Sequence, residues 1–236
     1  MVKKIHYIWL GGKPKSLLIR RCIKSWRKHM PDWEIVEWNE SNLNIDINKY
    51  CREAYDAKKY AFASDVLRFD ILYREGGLYF DIDVKMLKSF EPLTQSEEAF
   101  TGFENGCFLA PGLVLYAKEP FNIHYKNMLD LYSKTSFILP DGSYNLKVVG
   151  SHFYDCIKEH GFVLDNTLQR YSGLTVFPSD YFCPSNYSRT IKNYSANTYS
   201  DHLGNASWMS PKERMRRFIS KVAHYFLGSA PIRKKK

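Results

Sequence analysis

Two aspartates one residue apart, Asp81 and Asp83, sit in the segment GGLYFDIDVK that runs from Gly76 to Lys85. On an extended strand, side-chain alternation would point both carboxylates the same way, and like charges that close repel. Three chemistries relieve the repulsion. A shared proton would make a carboxylate dyad, although such dyads usually join separate chain segments. A nucleophilic Asp81 would suit a phosphatase, but that motif carries Thr or Val two residues after the second Asp and lies on a first strand. Here that position is Lys85, and the motif follows a helix. The third is a divalent cation: hard oxygen ligands suit Mg2+ or Mn2+, which keep positions open for phosphate oxygens. Paired backbone caps are the bland alternative.

Other residues offer chemistry that fits the third reading. Asp65 and Arg68, three apart on a mainly apolar helical stretch, are costly there unless they satisfy each other or a polar ligand. Arg presents a planar fork that matches phosphate or vicinal hydroxyls; a simple intrahelical salt bridge is the competing explanation. Trp9 stands at the C-terminal end of the first strand, where open α/β sheets bind ligands, though core packing would equally explain it.

The elements that must position these groups can be read from periodicity. KKIHYIWL reads as a strand, SLLIRRCIKSWRKHM as a helix with Leu18, Cys22 and Trp26 on one face, and PDWEIVEW as a second strand. A β-α-β opening predicts a parallel sheet covered by helices. DAKKYAFASDVLRFDILYREGG predicts one long helix closed by Gly76 and Gly77, with Phe62, Val66, Phe69 and Tyr73 as its stripe. LYFDID then reads as a buried strand entering a loop. Beyond residue 90 the pattern predicts short strands around GFENGCFLAPG, a helix over PFNIHYKNMLDLYSK opened by its proline, and a second helix over GSHFYDCIKEHG. GLTVFPSDYFCPSNY reads as a strand and an irregular loop, and TYSDHLGNASW as a polar loop.

Length and composition bound the rest. The 236 residues suffice for one well-buried domain, and 44% hydrophobic with 16% aromatic content describes a folded chain. No run of about twenty apolar residues suggests a membrane span, and the N-terminus is too short in apolar residues for a secretory leader. Five cysteines, odd in number and without a C-x-x-C pair, argue against a disulfide framework or zinc site and for a reducing cytosol. The net charge of +9 is not spread out: from Lys212 onward nine basic residues face Glu213 alone, a net of +8, which leaves about +1 elsewhere. That distribution excludes a nucleic-acid-binding domain and predicts a domain over 1–210 with a basic amphipathic helix and tail over 211–236. Met215, Phe218, Ile219, Val222 and Phe226 form that helix's apolar stripe, which suits either docking on the domain or an anionic leaflet. The expectation is a cytoplasmic protein, peripheral on the inner face of the membrane.

Read as a unit, YAFASDVLRFDILYREGGLYFDID resembles the sugar-binding region of glycosyltransferase family 32. That family includes mannosyltransferases and capsule and lipopolysaccharide enzymes, and is related to the glucosyltransferase domain of large clostridial toxins. The start VKKIHYIWLGGKPK and the late HLGNASW match the family's flanking motifs in order, so the resemblance spans residues 2 to 208. It implies a GT-A fold, a Rossmann-like, mostly parallel mixed sheet flanked by helices, and metal-dependent, retaining transfer of a sugar from a nucleotide diphosphate. Carried over by position, Trp9 stacks on the base, Asp65 and Arg68 grip the sugar and phosphate, and Asp81 and Asp83 form the metal-binding D-x-D. His202 is similar to the late metal ligand and Trp208 to the aromatic beside the diphosphate. Catalysis would then rest on Asp81, Asp83 and Arg68, with Mn2+ or Mg2+ held by Asp83, Asp81 and His202. Glu104, Asn105 and His152 are the acceptor-side candidates, although VVGSHF departs from the commoner Thr-Gly-Pro. The expected donor is UDP-galactose or UDP-glucose, and the acceptor a surface polysaccharide, lipopolysaccharide or lipid-linked oligosaccharide. The alternatives are a phosphatase using Asp81 and a non-catalytic sugar- or membrane-binding protein.

Overall fold

The computed structural model describes residues 1–104, 106–185 and 192–204. The predicted opening is there. Strand β1 (Lys4–Ile8) leads to helix α1 (Leu17–His29), whose first turn is capped by Ser16, and the chain returns as β2 (Glu34–Trp38), paired in parallel with β1. The predicted long helix begins later than expected. Helix α3 (Tyr60–Glu75) fills the predicted stretch from Tyr60 on, while an unpredicted helix α2 (Lys49–Asp56) precedes it; Lys58 takes a positive φ of 57° between them, so AKK is a connection and not a first turn. Helix α3 buries nearly every residue from Val66 to Leu72, Arg68 included.

Two glycines turn α3 back into the sheet. Gly76 ends the helix at φ 65°, and Gly77, at φ 86°, opens β3 (Gly77–Tyr79). A Cβ at Gly77 would lie 2.7 Å from the carbonyl oxygen of Lys4, so β3 approaches β1 only because the residue has none. Next come β4 (Val84–Met86), α4 (Glu91–Ser96), β5 (Ala99–Glu104), β6 (Phe108–Leu109) and β7 (Leu115–Ala117). The chain continues through α5 (Ile123–Ser133), capped by Asn122 and not by Pro120, then α6 (Val149–Ile157), β8 (Gln169–Tyr171), β9 (Leu174–Phe177) and α7 (Ser179–Phe182). The last described element, β10 (Ser200–His202), is a strand where a polar loop was expected.

The main sheet has eight strands in the order β2-β1-β3-β7-β5-β9-β8, with β6 on β5. β2, β1, β3, β5 and β9 run one way and β6, β7 and β8 the other, the mostly parallel mixed sheet that the sequence implied. Both faces are buried. Leu115 and Ala117 face the cluster beneath α2, α3, α5 and α6, while Tyr116 between them faces the cluster on the α1 side with Ile5, Tyr7 and Leu78. Among the described residues no helix is long and apolar enough to cross a membrane.

A histidine is sealed where α3 meets the sheet. The indole N–H of Trp38 donates to His6 Nδ1 at 3.0 Å, so Nε2 carries the proton and donates to the Gly76 carbonyl at 3.0 Å. Burial pulls the His6 pKa from 6.5 down to about 4, and burial holds His152 at about 4 as well. The folded values lie below the ordinary one, so the unfolded chain takes up protons first. The stability present above about pH 6.5 should therefore fall as pH drops toward 4, by on the order of 3 kcal/mol for His6. His6→Gln, followed by urea denaturation across that window, should show a shallower pH slope than the parent and about 1 kcal/mol less stability at pH 8. An unchanged slope would assign the acid sensitivity to other groups.

Candidate active site

The D-x-D pair does not lie on a strand. β3 ends at Tyr79, and Asp81 to Asp83 form a turn in which the Val84 amide bonds to the Asp81 carbonyl at 3.0 Å. Strand alternation instead joins Tyr79 to Asp81: the Tyr79 hydroxyl donates to Asp81 Oδ1 at 2.9 Å. The register pairing His6 with Tyr79 sets Trp9 and Asp81 both just beyond the carboxyl ends of adjacent parallel strands. Trp9 is half-buried; its indole N–H donates to the Lys13 carbonyl at 2.8 Å, and the Lys15 ammonium lies 5.5 Å from its ring.

Arg68 ties the turn to α3. Its guanidinium, only 3% exposed, lies 2.8 Å from Asp65 Oδ1 and 3.5 Å from Asp81 Oδ1 and stands 5.1 Å over the Tyr79 ring. Its Nε donates to the Ser64 carbonyl at 3.1 Å. Burial pushes the Asp65 carboxyl up to about 7, opposed by Arg68 and reinforced by Asp81. Asp81 is raised for the same first reason, with Arg68 lowering it and Asp83 raising it. Asp81 nonetheless keeps 30% of its side chain exposed, so this buried ion network opens to solvent at one carboxylate.

The second carboxylate faces the other way. β10 pairs antiparallel with β4, His202 opposite Val84, and the Leu203 amide bonds to the Asp83 carbonyl at 3.0 Å. That pairing brings His202 Nε2 within 3.2 Å of Asp83 Oδ1, across more than a hundred residues of chain. His202 Nδ1 lies 3.3 Å from Glu104 Oε1. Burial works against charging this imidazole, but the flanking Asp83 and Glu104 carboxylates outweigh it and raise its pKa well above the usual range. A positive charge demanded by two carboxylates and a ring nitrogen is the donor chemistry of a divalent-cation seat, so the residues fit a metal. Glu104 also fits the partner role in a carboxylate–histidine–metal arrangement, accepting from Nδ1–H so that Nε2 is left to ligate. From behind, α1 braces the turn: the Trp26 indole donates to the Val84 carbonyl at 2.8 Å, and the Met86 amide bonds to Ser25 Oγ at 3.0 Å.

Thus Asp65, Arg68 and Asp81 meet on one side of the D-x-D turn and Asp83 and His202 on the other, beyond the carboxyl end of β3, while Trp9 follows the end of the adjacent β1. Glu104 stands beside His202, at the cation side of that group. His152 lies in the first turn of α6, buried with its ring 5.3 Å from Tyr132, and its Nε2, like the hydroxyls of Tyr50 and Tyr132, has no hydrogen-bond partner among the described residues. Asn105, Trp208 and the tail over 211–236 lie outside the described residues. Tyr79, Cys183 and Gly112 belong to the site without having been expected. Tyr79 was available from its two-residue spacing to Asp81, whereas Cys183 carried no local signal.

The fold is of the GT-A glycosyltransferase class. It aligns with the structure titled PaToxG Glycosyltransferase at a TM-score of 0.52 and 21% identity, over 67% of this chain and 69% of that one. A galactosyltransferase LgtC, in complex with donor and acceptor sugar analogues, aligns at a TM-score of 0.46 and 13% identity over 97% of this chain and 98% of that one. Residues 18–100 match the glycosyltransferase sugar-binding region containing the DXD motif. "Subversion of eukaryotic traffic protein A" of Legionella pneumophila is 30% identical over 109 residues, 35% of this chain and 17% of that protein. "Toxin" of Photorhabdus asymbiotica is 30% identical over 126 residues, 39% of this chain and 4% of that protein. The matches therefore span a small part of both relatives' length.

Gly112 gives a steric test of the Arg68 network. A Cβ there would lie 2.4 Å from Asp81 Oδ2 and 2.8 Å from Arg68 Nη1, and its φ is not one of the positive values that only glycine takes easily. Gly112→Ala should force the carboxylate and guanidinium aside and destabilise the fold by about 1–3 kcal/mol, read as a lower melting temperature. An unchanged melting temperature would show that the Arg68–Asp81 arrangement yields to a methyl group without cost.

Proposed function

We propose that the chain is a metal-dependent, retaining glycosyltransferase that moves a hexose from a nucleotide diphosphate, UDP-glucose or UDP-galactose, to a hydroxyl group. The observation that carries this reading is the division of labour between the paired aspartates. Asp81 is drawn to Arg68 and Tyr79, and Asp83 is drawn to His202. A buried Arg beside a solvent-facing carboxylate suits sugar hydroxyls and a phosphate oxygen, and Trp9 at the adjacent strand end suits the base. Asp83 and His202 would hold Mn2+ or Mg2+, which would neutralise charge on the departing diphosphate.

The chain's own residues then do the following. Trp9 and the α3 pair fix the donor so that its anomeric carbon faces the acceptor channel. Asp65, with its proton affinity raised by burial, accepts or donates a hydrogen bond to a sugar hydroxyl while Arg68 offsets its charge. Glu104 holds the His202 proton at Nδ1, which keeps Nε2 free to ligate. Retention needs no protein nucleophile if the leaving phosphate assists deprotonation of the acceptor on the same face. The ties of Asp81 to Arg68 and Tyr79 favour binding over attack, which counts against the phosphatase alternative; the match to the sugar-binding region counts against a non-catalytic role.

The basic tail supports a lipid-linked or surface-glycan acceptor at an anionic membrane. Screening UDP- and GDP-sugars with Mn2+ for nucleotide release should find one donor whose turnover falls at least ~100-fold on chelation and in Asp83→Ala. Release from no donor, or release indifferent to metal, would refute the enzyme reading. Deleting 211–236 should abolish sedimentation with vesicles containing phosphatidylserine while sparing donor hydrolysis; undiminished sedimentation would remove the membrane from the account.

A further inference from the structure

The face of His202 turned away from Asp83 carries a second set of donors. A ring nitrogen of His202, a carboxylate oxygen of Glu104 and Cys183 Sγ lie within 4.8 Å of one another, with Nδ1 to Oε1 at 3.3 Å and Sγ to Oε1 at 3.8 Å. The three come from separate elements: β5, the end of α7, and β10. Tetrahedral Zn2+, with bonds of about 2.3 Å to sulfur and 2.0–2.2 Å to nitrogen and oxygen, needs its ligands roughly 3.4 to 3.6 Å apart. The trio is close to that spacing with little side-chain movement. A thiolate, an imidazole and a carboxylate together are a donor set for Zn2+ or Co2+ and not for Mg2+ or Mn2+. The second shell fits as well: with the ion on Nδ1, Nε2–H donates to Asp83 Oδ1 at 3.2 Å, the carboxylate partner that zinc-bound histidines usually have. Cys183 is 1% exposed, which shields the thiolate–ion bond from solvent.

We propose that Glu104, Cys183 and His202 form an inhibitory site for a thiophilic divalent ion, Zn2+ in the first place. Binding forms bonds from the ion to Sγ, Nδ1 and a Glu104 oxygen; the thiol proton and the Nδ1 proton leave to solvent, and no electrons are transferred. The ring is then fixed with its remaining proton on Nε2. That nitrogen, pointing at Asp83, no longer has a lone pair to offer. Zinc at the Cys183 side and Mn2+ at the Asp83 side are therefore mutually exclusive. The exclusion, though not the site itself, rests on the reading that Asp83 and His202 hold the donor's cation. Cys183 thereby makes the enzyme responsive to free zinc.

The test is a Co2+ titration of the metal-free full chain without nucleotide sugar. One equivalent should raise a near-ultraviolet thiolate-to-cobalt charge-transfer band that Zn2+ abolishes. The band should persist in Cys107→Ser, whose exposed thiol lies outside the trio, and vanish in Cys183→Ser. Glu104→Gln should weaken Co2+ binding at least ~10-fold, a check that stands even if Cys183→Ser folds poorly. In a parallel measurement by electron paramagnetic resonance, Zn2+ should release bound Mn2+ from the parent. No band, or one that survives Cys183→Ser in a folded protein, overturns the site. A Cys183-dependent band with no release of Mn2+ overturns the exclusion. A band in a protein that releases nucleotide from no donor would leave the site standing and the glycosyltransferase reading refuted.

Discussion

The buried guanidinium of Arg68 holds two otherwise independent parts of the molecule in register. It projects from a helix whose neighbouring residues are all core, and it is compensated by Asp65 on its own helix and Asp81 beyond β3. Removing the cation would leave two carboxylates in an apolar setting, a loss on the order of 3–5 kcal/mol for buried pairs. The α3–Gly76–Gly77–β3 reversal is what lets a helix residue and a post-strand residue meet. Burial that raises Asp65 and Asp81 is the cost of this arrangement, and it concentrates the positive charge of Arg68 where an anionic ligand would lie.

The opposite side of the D-x-D turn uses backbone pairing in place of a buried charge. β10 adds to β4 immediately after Asp83, and the three-residue register alone decides that His202 and not Asp201 meets it. Asp201 is turned to the other face, where it pairs with Lys192 and Tyr194. The small second sheet is thus a positioning device, braced by Trp26 and Ser25 of α1. One imidazole flanked by Asp83 and by Glu104 with Cys183 can serve two ions of different softness, but one at a time.

Much of this was legible because its determinants are local. The 3.6-residue spacing of α3, the double glycine after it and the β-α-β opening each specify an element from a short window, and Asp65, Arg68 and Asp81 follow from those elements. What was not legible depended on contacts distant in sequence. SDH is too short and too polar to look like a strand, and becomes one only through its pairing with VKM. Lys58 removes the first turn of the expected long helix by a left-handed residue that no glycine announces. Glu104 looked like a loop-tip polar residue because the hairpin of β5 and β6, which fixes its direction toward His202, carries no pattern beyond two residues.

The central claim is that the paired aspartates serve different ligands, Asp81 the donor's sugar end through Arg68 and Asp83 the cation with His202. The most direct measurement is anomalous diffraction from crystals grown with UDP and Mn2+. The account predicts a manganese peak ligated by Asp83 and by Nε2 of His202, with Arg68 still bridging Asp65 and Asp81. A manganese ion on the Glu104 and Cys183 side of the ring, or UDP bound with no ion at Asp83, would contradict it.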